Sequence, residues 1–122
     1  MKLATVTIVL AAVLAAGPAL AQGAALPQSP SLRAVACAAT LTAMAASVRP
    51  TSSAMADELV AVAAKWRASA HNAFAQSSQT ADQADALIAE QTAALTASAG
   101  LPGGTFEKAQ ICQNEGAALP TS

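Results

Sequence analysis

The sequence predicts an all-α protein, a small antiparallel helical bundle of three longer helices plus a short C-terminal helix, closed by one disulfide. Three observations carry this. Proline and glycine cut the chain between Pro30 and Pro120 into helix-sized pieces, and each piece bears start and stop residues. No piece in that region alternates apolar and polar residues with period two or clusters β-branched residues between turns, so strands are not expected. Two cysteines, Cys37 and Cys112, lie at opposite ends of the region.

The first helix is read over PSLRAVACAATLTAMAASV, residues 30–48. Ser29 precedes it as a cap, and Pro30 suits the first helical position, where no N–H partner is needed. Cys37, Leu41, Met44, Ala45 and Val48 recur at spacings of three and four, so they share the buried stripe. Pro50 disfavours helical geometry at Arg49 and closes the segment.

The second helix starts at the hydroxyl cluster Thr51-Ser52-Ser53 and runs to about Ser77. Asp57 and Glu58 lie in its early turns, where the helix dipole favours negative charge. Met55, Leu59, Val62, Trp66, Ala70 and Ala73 form its expected seam, with Phe74 flanking; Lys65 lies on one side, Arg67 and His71 on the other.

Thr80-Ala81-Asp82-Gln83 has the form of a capping box and opens the third helix. Ala84, Leu87, Ile88, Gln91, Ala94 and Leu95 make its apolar stripe, and Gly100 followed by Pro102 stops it. After the turn Gly103-Gly104, Thr105 is the expected cap of a short fourth helix from Phe106 to about Glu115, ended by Gly116.

Upstream of this region, Met1-Lys2, the uncharged run Leu3 to Ala16 and the sequence Ala19-Leu20-Ala21 have the three-part layout of a secretory signal peptide. The apolar run falls short of the roughly 20 residues that span a bilayer. The reading is therefore a signal peptide at 1–21, a flexible tail at 22–29, the bundle domain at 30–116 and a C-terminal tail at 117–122, in a periplasmic or secreted protein without stable membrane insertion after cleavage. An oxidising compartment makes Cys37 and Cys112 the one possible bridge. Without Lys2, five basic side chains face seven acidic ones, a net charge of −2. With no tyrosine and few other aromatics, that balance excludes a nucleic-acid surface.

Candidate chemistry is sparse. The single histidine, His71, has Ser69 and Asn72 near in sequence but on other helix faces, and Arg67 on its own face supplies no orienting carboxylate. Asp82 and Asp85 are accounted for by the dipole of the third helix. There is no His-x-x-x-His, Cys-x-x-Cys or Cys-x-x-Cys-His motif, and Gly103-Gly104 lacks the strand and Lys-Ser/Thr of a phosphate loop, so no catalytic, cofactor or metal residue is assigned. Trp66, Phe74, His71 and Leu101 are the residues by which such a protein would touch a partner or ligand.

The functional expectation is a non-enzymatic binding or structural accessory module acting through protein–protein contact, with another protein or a second copy as partner. One alternative is a carrier of a small apolar ligand held between bundle helices near Trp66. The other is a hydrolytic enzyme using His71.

Overall fold

A computed structural model describes residues 26–97 and 100–120. The expected signal peptide, its cleavage site at Ala21 and the first part of the tail lie outside the described residues. Within them the chain forms four helices and no strand: α1 (Pro30–Val48), α2 (Ser53–Gln76), α3 (Ala81–Thr96) and α4 (Thr105–Ala117). The short turn between α1 and α2, and the one between α2 and α3, reverse the chain, which gives the antiparallel bundle.

Helix α1 is the centre of the fold, with ten of its 19 residues buried and all three other helices packed on it. It alone among the described helices has the length and hydropathy of a membrane span, and here half of that apolar window is wrapped by the other helices. Helices α3 and α4 both rest on the α1–α2 pair and make no contact with each other among the described residues. Alanine dominates the packed faces, so axes approach closely while each buried methyl contributes only a fraction of the roughly 1.5–3 kcal/mol of a large apolar side chain. The larger buried groups are few: Leu26, Val35, Leu41, Met44, Leu59, Trp66 and Phe74, with the two cysteines.

The termini follow local chemistry. Ser52 caps α2 through its hydroxyl, which accepts from Met55 N at 3.2 Å. Thr80 and Gln83 form the reciprocal capping box of α3, Thr80 Oγ1 accepting from Gln83 N at 3.1 Å and Gln83 Oε1 from Thr80 N at 2.8 Å. Helix α2 ends in a Schellman pair, Gln79 N donating to Phe74 O and Ser78 N to Ala75 O. The left-handed position of that motif holds Ser78, at φ 60°, where glycine is usual.

Several details differ from expectation. The Ser29 hydroxyl makes no cap bond to α1 and lies 3.1 Å from Ser31 Oγ instead. The buried stripe of α2 is Ala56, Leu59, Ala63, Trp66, Ala70 and Phe74, so it is rotated toward Phe74 and leaves Met55 52% exposed. At the start of α4 the cap is Gly104, left-handed at φ 86°; Thr105 is already helical and its hydroxyl donates back to Pro102 O at 2.6 Å. Gly116 does not end α4 but lies buried inside its last turn, against Trp66.

The disulfide Cys37–Cys112 joins α1 to α4 with the Cα atoms 5.4 Å apart, and both cysteines are fully buried. Two further ties converge there. The indole Nε1 of Trp66 donates to Cys112 O at 2.8 Å. One turn further along α4, Glu115 receives both Nε and Nη2 of Arg33, at 2.9 and 2.6 Å. Arg33 also donates to Pro27 O, and Leu26, in the segment expected as a tail, is buried in the core.

Candidate functional site

Helices α1, α2 and α3 enclose an open groove of about 690 Å³. Its floor is Ala38 and Ala63, its α2 rim Val60 and Ala64, and its α3 wall runs from Asp85 through Ile88 and Ala89 to Thr96. Three threonines line it, and each donates its hydroxyl to its own helix: Thr42 to Ala38 O at 2.7 Å, Thr92 to Ile88 O at 2.7 Å and Thr96 to Thr92 O at 3.0 Å. These hydroxyl protons are therefore already used, and the lining is chemically close to a wall of methyl groups.

One end of the groove is charged. Arg67 on α2 meets Asp85 on α3 in a fork, Nε to Oδ1 at 2.8 Å and Nη2 to Oδ2 at 2.9 Å. His71, one turn further along α2, places Nε2 2.7 Å from Asp85 Oδ1. The Arg67 hydrogen bonds, followed by that of His71, hold the Asp85 carboxyl well below the usual carboxylate range, against a smaller opposing effect of burial. The same carboxylate raises the Arg67 pKa, which leaves the guanidinium charged throughout the accessible pH range.

This cluster was not foreseen. Local spacing offers His71 no carboxylate, and the helix dipole alone accounts for Asp85. A signal was nonetheless present, because His71 and Asp85 are separated by fourteen positions centred on Ser78. Folding α2 against α3 about that turn brings positions equally far from it face to face.

The residues proposed as a contact surface are distributed differently. Trp66 and Phe74 are buried, and Trp66 does not line the groove; its ring is covered by α4. His71 is half-buried beside Asp85, and Leu101 is half-buried against the core. Trp66 Nε1 is bonded to Cys112 O, and the open groove lies on the α3 side of α2. Among the described residues, no three His, Cys, Asp or Glu side chains converge in a way that could hold a metal ion.

No protein-family model, curated protein or solved structure matches the chain. Its function is therefore argued from this site.

Proposed function

We propose that the chain is an exported, non-enzymatic binding module that acts by protein–protein contact through the α1–α2–α3 groove. The observation that carries this reading is the groove's lining, methyl groups and internally bonded threonines with the Arg67–Asp85 pair at one end, which favours an apolar contact face. A hydrolytic role would need a nucleophile beside His71, and among the described residues its one side-chain hydrogen bond goes to Asp85. The volume also lies within the roughly 300–1,000 Å³ of small-ligand sites, which supports the carrier reading as the alternative.

The deciding experiment is cross-linked capture from a periplasmic or secreted extract with the disulfide-intact protein, with Val60→Glu and with Ile111→Glu. Both positions are exposed, so neither charge disturbs the core. Val60 lines the groove and Ile111 lies on α4. Contact through the groove predicts one specific species that V60E loses and I111E keeps. Recovery of no species, or equal behaviour of the two variants, counts against it. If a lipid and aromatic ligand panel instead binds the wild type and not V60E, the carrier reading takes its place.

A further inference from the structure

We propose that α3 is a hinged wall of the groove, pinned to α2 at its pivot end by Asp85. The proposal rests on the groove being the binding surface, and it adds how that surface opens.

Anchoring is the first argument. Of the 16 residues of α3 only Ala84 is buried, whereas α4, shorter by three residues, buries four. Ala84 sits in the first turn of α3, next to the capping box and to Asp85. Beyond that turn the inward residues Leu87, Ile88, Gln91, Thr92 and Leu95 are only half-buried. A helix held at one end and half-covered along the rest opens locally at less cost than one packed throughout.

The second argument is how few polar ties hold it. Among the described residues, every side-chain hydrogen bond and ion pair from α3 to another helix ends on Asp85. No covalent link reaches α3, and it has no contact with α4 that would have to break. Because Ile88, Ala89, Thr92, Ala93 and Thr96 form the α3 wall, pivoting about the first turn widens the groove and gives up only the partial cover that Leu87 and Ile88 lend the core.

Native-state hydrogen exchange on the disulfide-intact chain tests this, comparing wild type with Asp85→Asn and Arg67→Gln. Both substitutions replace partly exposed side chains, and far-UV circular dichroism and the exchange of the α1 amides show in each variant whether the fold is kept. The expected result is that amides of α3 from Leu87 to Thr96 exchange at least about tenfold faster than the buried amides of α1 in the wild type. In both variants those α3 amides speed up by a further factor of about three to ten, while α1 and α4 change by less than about twofold. The proposal is overturned if wild-type α3 exchanges as slowly as α1. It is equally overturned if D85N leaves α3 unchanged or accelerates all four helices together. No partner or ligand enters this measurement, so its outcome is separate from the capture experiment.

Discussion

Replacing Gly116 by alanine tests the packing that fixes α4. A Cβ at this position would overlap Val62 Cγ1 and lie 2.7 Å from Trp66 Nε1, well inside the roughly 3.5–4.0 Å of an ordinary contact. Neither neighbour yields readily. Val62 is β-branched and in a helix is confined largely to one rotamer, and the Trp66 indole is fixed by its bond to Cys112 O. Moving α4 away is opposed by the disulfide at Cys112, one turn earlier on the same helix. Overpacking of this kind costs about 1–3 kcal/mol, and stretching the indole bond adds about 1 kcal/mol. Alanine returns at most about 1 kcal/mol of helix propensity. The net expectation is a loss of about 2 kcal/mol, or about 10 °C in Tm for a domain of this size. Urea and thermal unfolding read by Trp66, the one tryptophan, measure it directly. Gly103→Ala is the control, since nothing lies within 4 Å of its Cβ, and it should change stability by less than about 0.5 kcal/mol. A G116A protein as stable as wild type would show that Trp66 does not close over α4 as described.

Three further predictions address the other ties. Cys37→Ala with Cys112→Ala removes a crosslink spanning 75 positions and should lower stability by about 4 kcal/mol in urea titration; an unchanged midpoint would contradict the structural role of the bridge. Ser78→Gly relieves the left-handed serine of the Schellman turn and should gain about 0.5 kcal/mol after the added flexibility of the unfolded chain is offset, with Ser78→Ala giving no such gain. Asp85 and Glu115 are both held below their unfolded pKa values by arginine partners, so the unfolded chain binds more protons in acid. Their contribution is complete above the unfolded values of about 4 and falls away as pH drops through the lower folded values. With partial exposure screening both pairs, the loss between pH 6 and pH 2.5 should be about 1–2 kcal/mol, and D85N should reduce it.

The helices themselves were legible because their signals are local. Pro30, the Thr80–Gln83 box and the Gly and Pro punctuation act within a turn or two, and the structure places both ends of α1 and α2 and the start of α3 within a residue or so of the boundaries they imply, while α3 ends at Thr96, short of Gly100. Burial was harder to read in α2. The three-four rhythm of Met55, Leu59, Val62, Trp66, Ala70 and Ala73 places Met55 and Val62 on the seam, but in an alanine-rich helix small residues set the face of closest approach, and Ala56 and Ala63 join Ala70 on it. Gly116 was misread for a related reason. A glycine late in a helix has the form of a stop, and only the indole of Trp66, 50 positions away, shows that it is there for closeness. The Arg67–Asp85–His71 cluster and the groove depend on how α2 and α3 align, which no single segment encodes.

The two helices docked on the α1–α2 pair are held by different means, and composition explains why. Helix α4 buries Thr105, Ala109, Cys112 and Gly116, none larger than a threonine, and at 13 residues it is too short to persist in water alone. Apolar burial cannot hold such a helix, so a covalent bond, an indole hydrogen bond and an arginine fork do so. Helix α3 carries larger apolar side chains, Leu87, Ile88 and Leu95, yet leaves them half-covered, and among the described residues its side-chain hydrogen bonds and ion pairs to other helices all end on Asp85. A permanent crosslink on one helix confines motion to the other. Removing the Asp85 contacts should therefore loosen the groove wall while the crosslinked side stays closed, whereas removing the disulfide should lower the stability of the whole domain.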